Sequence, residues 1–253
     1  MRIVYCLVLA LLMTGCASSH STQRADANLA QLDNSWESNL RIIKAAEASG
    51  SVDVALNTAL KELQTRPKND EARIVAARLQ TRKGRPKQAL TLLEALSGPP
   101  SAESWLERGR ALLAMEKISE TGEALKNAVD TKPSPAVMRE VLKLQAICLD
   151  IAGKHNDAQG IYTDLLAEKD EPGVRYNLGR SFYASKKYSD AVTALMPIVE
   201  VKLLPQARLL AAAAMVKSND RQGARSLLEG HVPAAEIDKI IGGVPIKKNM
   251  LIF

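Results

Sequence analysis

Tyr176–Ala191 reads YNLGRSFYASKKYSDA, two apolar-periodic stretches separated by a short polar turn. The residue types are helix formers, and the stretches are too close together to be anything but neighbours in space. Gly179 in the first stretch and Ala191 in the second are small, as two closely crossing antiparallel helices require at their contact. Phe182 supplies bulk beside that contact. Lys186 stands in the turn, where a left-handed backbone normally favours glycine.

The same unit recurs on both sides of this stretch. The segments GSVDVAL (Gly50–Leu56), GRPKQAL (Gly84–Leu90), KISETGEAL (Lys117–Leu125), GKHNDAQ (Gly153–Gln159), KKYSDAV (Lys186–Val192) and NDRQGAR (Asn219–Arg225) align. Their equivalent positions are Ala55, Ala89, Thr121, Ala158, Ala191 and Ala224, spaced 34, 32, 37, 33 and 33 residues apart. First helices offer Ala77, Gly109, Ala146, Gly179 and Ala212 to face them. Bulk comes from Leu93, Leu125, Tyr162, Leu195 and Leu228 in second helices, and from Leu112, Leu149, Phe182 and Met215 in first helices. Gly50, Gly84 and Gly153 occupy the turns, with Asn219 a tolerable substitute, whereas Glu116 and Lys186 depart from the pattern. Pro67 and Pro133 follow second helices and stop them. The first unit is the weakest match, with Ile43 at the crossing and Ala59 where bulk is usual.

A helix–turn–helix unit with a period near 34 resembles the tetratricopeptide repeat. The resemblance runs from about Trp36 to His231. It implies an all-α, right-handed superhelical solenoid of about six helix hairpins, because one hairpin cannot bury its own apolar face but a stack shares a core. The expected repeats are 36–69, 70–101, 102–138, 139–171, 172–204 and 205–231. Residues 232–241 place Ile237, Ile240 and Ile241 at helical spacing and read as a capping helix. Residues 242–253 form an apolar tail ending in Met250–Phe253. Pro99–Pro100 and Pro133–Pro135 punctuate the stack.

The N-terminus carries a second signal. Arg2 precedes an apolar run from Ile3 to Met13, long enough for a secretory core and too short to span a bilayer. Thr14 and Gly15 then precede Cys16. LLMTGCASS (Leu11–Ser19) resembles a bacterial lipoprotein lipobox, with Met13 where leucine is commonest. That resemblance implies removal of residues 1–15 and acylation of Cys16; the residues that follow are polar, small and without a sustained apolar period, so 16–35 read as a flexible tether. It also implies sorting to the outer membrane, facing the periplasm, since Ala17 and not aspartate follows the cysteine.

Composition narrows the chemistry. The net charge of +6 is spread along the chain, and aromatic residues make up 4%. A concentrated basic stripe with stacking platforms, as nucleic-acid binding needs, is absent from the sequence. Of three cysteines, Cys6 lies in the leader and Cys16 takes lipid, so Cys148 has no disulfide partner within the mature chain. It reads as a small buried hydrophobe among Leu144, Ile147 and Leu149. His20, His155 and His231 lack zinc-ligand spacing and read as solvated. No phosphate loop, nucleophile elbow or H-E-x-x-H occurs. The expectation is a non-enzymatic protein with no metal and no cofactor beyond the covalent lipid at Cys16.

The tetratricopeptide resemblance implies a concave groove lined by the first helix of each pair. One row of its lining positions holds Leu40, Ile74, Leu106, Lys143, Tyr176 and Leu209. The row one turn on holds Lys44, Arg78, Arg110, Ile147, Arg180 and Ala213, extended by Arg82, Leu113, Tyr183 and Val216. An apolar ladder would thus run beside a basic one, suited to a peptide segment of apolar and acidic character. Glu37, Glu71, Glu103 and Glu140 read as acids at first-helix N-termini, where the macrodipole favours negative charge.

A lipid-tethered stack of this length is similar to assembly lipoproteins of envelope machines. It looks most like the tight-adherence (Flp) pilus assembly lipoprotein and the type IV pilus pilotins, which implies a secretin or another pilus or secretion component as partner. An adaptor that recruits peptidoglycan-remodelling enzymes would use the same fold and anchor.

Overall fold

A computed structural model describes residues 35–201 and 204–242. The lipidation site Cys16, the tether up to residue 34 and the tail from residue 243 lie outside the described residues. Thirteen helices make up the regular structure of the described chain: α1 Trp36–Ala48, α2 Val52–Thr65, α3 Asp70–Arg82, α4 Pro86–Glu94, α5 Ala102–Ala114, α6 Ile118–Asp130, α7 Pro135–Ile151, α8 His155–Glu168, α9 Pro172–Ala184, α10 Tyr188–Glu200, α11 Pro205–Lys217, α12 Arg221–Leu228 and α13 Ala234–Ile241. The chain divides into two compact units, residues 1–98 and 99–253. The first holds the hairpins α1–α2 and α3–α4. The second holds α5–α6, α7–α8, α9–α10, α11–α12 and the terminal α13. The fold is an all-α helical repeat.

Helix starts follow from local chemistry. Ser35, Asn69, Ser101 and Ser134 accept a hydrogen bond from the backbone N–H three residues on, satisfying a donor that the helix itself leaves open. Prolines stand at the first turns of α4, α7, α9 and α11, where no N–H is needed. Helix α7 therefore begins at Pro135, so Glu140 sits in its second turn and not at its N-terminus, where the sequence pattern places it.

Six within-hairpin turns share one geometry. After α1, the Gly50 N–H donates to the Glu47 carbonyl at 3.1 Å and the Ser51 N–H to the Ala46 carbonyl at 2.8 Å. The same pair of bonds closes α3, α5, α7, α9 and α11 through Gly84, Glu116, Gly153, Lys186 and Asn219. Glu116 (φ 60°) and Lys186 (φ 62°) adopt the left-handed conformation just as Gly50 does (φ 76°). Side-chain identity at those two sites departs from the pattern, and the backbone does not.

Packing realises the small-to-small crossings. Ala55, Ala77, Ala89, Thr121, Ala146, Ala158, Ala191, Ala212 and Ala224 are all fully buried. Thr121 replaces alanine because its hydroxyl donates back to the Lys117 carbonyl at 2.8 Å and leaves no polar group unpaired. In the first unit Ile43 and Ala59 are buried together with Leu56, Ala76 and Leu79, so the large and small residues have exchanged places across that hairpin. In the second, Tyr162, Leu125, Leu195 and Leu228 fill the layers between helices, and α13 buries Ile237 and Ile240 against Ala212 and Leu228.

Candidate partner-binding face

The residues expected to line the face fall into three environments. In the first unit Leu40 and Ile74 are half-buried and Lys44 is exposed. Arg78 and Arg82 converge on one carboxylate: Arg78 Nη2 lies 2.7 Å from Glu47 Oε2 and Arg82 Nη1 2.5 Å from Glu47 Oε1. Glu71, on the same side, accepts from the Trp36 indole N–H at 2.6 Å.

In the second unit the cations are held likewise. Arg110 donates to Glu107 and to Glu140, both at 2.6 Å. Glu140 also pairs with Lys143, which reaches Glu171 at 3.1 Å. Glu171 is bridged in turn to Arg139 Nε at 2.9 Å, and Arg139 donates further to Glu168 and to the carbonyls of Leu165 and Lys169. Burial works to raise the Glu171 carboxyl, but hydrogen bonds from Arg139 and Lys143 outweigh it and hold the group below its ordinary range.

At Arg78, Arg82, Arg110 and Lys143 the cations expected from the sequence are thus matched by acids of the protein itself. Partners sit about one repeat apart, as in Glu47–Arg78, Arg110–Glu140 and Arg139–Glu171. That spacing is a signal the sequence carries, visible once glutamates are read on the same register as arginines.

Three expected lining residues, Leu106, Tyr176 and Ala213, are core residues instead. Leu106 is 4% exposed and packs with Leu125, Val141 and Leu144. Tyr176 is 6% exposed, packed with Leu195, Ile198 and Leu210, and burial pushes its phenol upward. A first helix packs against its own partner and the next first helix at once, so the row nearest the following hairpin is covered. Leu113, Tyr183 and Leu209 are half-buried; Tyr183 stands edge-on to Tyr188 with ring centroids 5.5 Å apart.

Ile147 and Arg180 line a cavity of about 130 Å³ with Ile151, Ala184, Tyr162 and a polar group that sequence reading missed. Asp150 Oδ1 accepts from the Ser181 hydroxyl at 2.6 Å and lies 2.8 Å from His155 Nδ1. His155 is therefore not the solvated turn histidine expected. It starts α8, Asp150 ends α7, and Ser181 comes from the next hairpin, so no spacing in one segment announces the trio. Burial, with Asp150 beside it, drives the Tyr162 phenol strongly upward, so it stays protonated. The Ser181 hydroxyl is committed to the carboxylate and not to the imidazole ring, which makes the trio a clip between hairpins and not a nucleophile with its base. Burial likewise pushes the Cys148 thiol up, against thiolate chemistry. Among the described residues no three His, Cys, Asp or Glu side chains converge as a metal site.

Solved structures carry the same architecture. A chain in the crystal structure of the APC/C hetero-tetramer Cut9-Hcn1 superposes with a TM-score of 0.68 at 15% identity, over 92% of this chain and 45% of that one. A tetratricopeptide repeat protein from Parabacteroides merdae gives 0.57 at 13%, over 87% and 89%. The present chain has the fold of tetratricopeptide-repeat proteins. Pseudomonas aeruginosa pilF gives 0.62 at 17% identity, over 82% of this chain and 96% of that one. No family model matches the sequence, and no curated protein matches it. Tetratricopeptide folds are scaffolds suited to protein–protein interaction, typically without catalysis. No described helix is long and apolar enough to cross a membrane.

Proposed function

We propose that the protein is a non-enzymatic scaffold lipoprotein, acylated at Cys16, anchored in the outer membrane and facing the periplasm, where its repeats hold a client during assembly of a pilus or secretion machine. The observation that carries this is the conjunction of LLMTGCASS, which resembles a lipobox around Cys16, with a helical-repeat fold described from Trp36 onward. The likeness in fold to Pseudomonas aeruginosa pilF supports the pilus-linked part of this reading. A secretin subunit is the expected client.

The mechanism is physical. Acyl chains contribute about 0.8 kcal/mol per buried CH₂, and two or more anchor stably. Fixing the scaffold at one surface raises the local concentration of its clients there. The internal pairing of Arg78, Arg82, Arg110 and Lys143 shifts the recognition role toward half-buried apolar residues such as Ile74, Leu113 and Ile147 and the cavity beside Arg180.

Crosslinking from intact envelopes, comparing the native chain with Cys16→Ser, tests this. A secretin captured by the native chain, with capture and secretin multimers both reduced by Cys16→Ser, is the expected result. Capture of a peptidoglycan hydrolase in its place would replace the pilus reading with the adaptor reading.

A further inference from the structure

Among the described residues, the first hairpin carries an apolar and basic face, where the end of a repeat stack is normally polar. Ile42 in α1 and Val54 in α2 are 48% and 52% exposed, two of the four exposed large hydrophobics among the described residues. Both point away from the next hairpin. Trp36 and Glu47 mark the edge of α1 that bonds to α3, and Ile42 lies about 140° round the helix from Glu47. Leu56 packs with Ala76 and Leu79, and Val54 lies about 160° round α2 from it. Cations flank the pair: the Arg41 guanidinium donates to Ser38 Oγ, one turn before Ile42, and Lys61 is exposed two turns beyond Val54 on the same side. The neighbouring acid, Asp53, is taken by Lys83.

We infer that this face docks on the anionic surface of the lipid bilayer. The inference rests on the lipid anchor of the proposed function. The segment joining Cys16 to α1 reaches at most about 70 Å at the extended-chain limit, which keeps the first hairpin within range of the bilayer. Apolar side chains with flanking cations are the pairing that an anionic lipid interface takes up. Docking would orient the hairpins relative to the membrane, which a tether alone does not do.

The test uses the acylated full-length protein on vesicles of phosphatidylethanolamine with phosphatidylglycerol. A polarity-sensitive fluorophore is placed at Ile42→Cys, Val54→Cys or, for comparison, the exposed Gly160→Cys, each with Cys148→Ala. At positions 42 and 54 the expected result is a blue shift and loss of emission to a lipid-borne quencher, with neither at position 160. Omitting phosphatidylglycerol, or introducing Arg41→Glu with Lys61→Glu, should reverse the change at position 54. Emission at 42 and 54 as water-exposed as at 160 overturns the inference. So does a blue shift already present without vesicles, which would mean that a second copy or the chain upstream of Ser35 covers the face. Mass spectrometry of Cys16 reports separately on the anchor. If Cys16 is not acylated, a Cys16→Ser chain held by an N-terminal hexahistidine on nickel-chelating lipid still reads the hairpin.

Discussion

Gly179 faces Leu195 so closely that its missing methyl group can be weighed directly. A Cβ built there would lie 2.5 Å from Leu195 Cγ and 2.6 Å from Cδ2, against an ordinary carbon–carbon contact of about 3.5–4.0 Å. Leu195 is fully buried, so it has no solvent to swing into. Two effects oppose each other in Gly179→Ala. Alanine gains about 1 kcal/mol over glycine in a helix interior. Overpacking a filled site costs about 1–3 kcal/mol, and a gap short by a full ångström belongs at the upper end. The expected net is a loss of about 1–2 kcal/mol from these two terms. Gly160→Ala, in an exposed helix interior with nothing within 4 Å, isolates the first term and should stabilise by up to about 1 kcal/mol. Gly109→Ala, 3.1 Å from Leu125 Cδ2, should fall between them. Urea denaturation of the three variants reads the order through the midpoint at unchanged slope. If Gly179→Ala stabilises as much as Gly160→Ala, the close crossing of α9 and α10 is wrong. Truncating Leu195 to alanine in the Gly179→Ala background should cost less than in the native chain, a coupling that a double-mutant cycle reads.

Glu116→Gly and Lys186→Gly should each leave stability unchanged or raise it by up to about 1 kcal/mol, because the left-handed conformation costs a side chain about 1–2 kcal/mol and glycine's larger unfolded-state entropy offsets part of that relief; a loss in melting temperature at both sites would refute the turn assignment. Acid should unfold the protein as pH falls below about 4.5, the ordinary glutamate value. At Glu62, burial is outweighed by hydrogen bonds from Arg66, Asn69 and Asn39, so its folded pKa lies below the unfolded one, as does that of Glu171. Their stabilisation is present above the unfolded value and lost as pH falls through the folded one. Glu62→Gln should therefore lower stability at neutral pH and shrink the acid-induced drop, measured as denaturation midpoint against pH. Asp150→Ala should cost about 1–3 kcal/mol by leaving the Ser181 hydroxyl without its acceptor, and hydrogen exchange should speed up in α7–α9 while α1–α4 stay as they were. Ala191→Trp, at a fully buried crossing, should destabilise by at least about 1–3 kcal/mol; an unchanged melting temperature would refute the repeat alignment.

The hairpins are legible in the sequence because a crossing leaves its mark in one place. Ala158, Ala191 and Ala224 recur at fixed spacing, and all are fully buried. The turn at Lys186 is harder to read, since its conformation is enforced by two backbone hydrogen bonds and not by the side chain. Surface charge is the least legible. Arg78 and Arg110 look like free cations when read alone, yet each meets a glutamate about thirty residues away, a pairing that shows in the sequence only once both are set on the repeat register. Tyr176 is misplaced by its sequence position for a related reason. Which edge of a first helix is covered depends on how the next hairpin leans against it, an angle that no single hairpin carries. Ile198 and Leu210, which help to cover Tyr176, come from α10 and α11, so the second of them belongs to the following hairpin.

The shared carboxylates have a mechanical corollary. Glu140 clasps Arg110 and Lys143, and Glu171 clasps Lys143 and Arg139, so peeling one hairpin away leaves its neighbour holding a bare charge. Pulling on the second unit should then release α5 to α9 in one larger rip, and the α11–α12 hairpin, joined to its neighbours mainly by alanine and leucine, in a smaller one. High salt should blur that difference by screening the clasps and leaving the oily contacts intact.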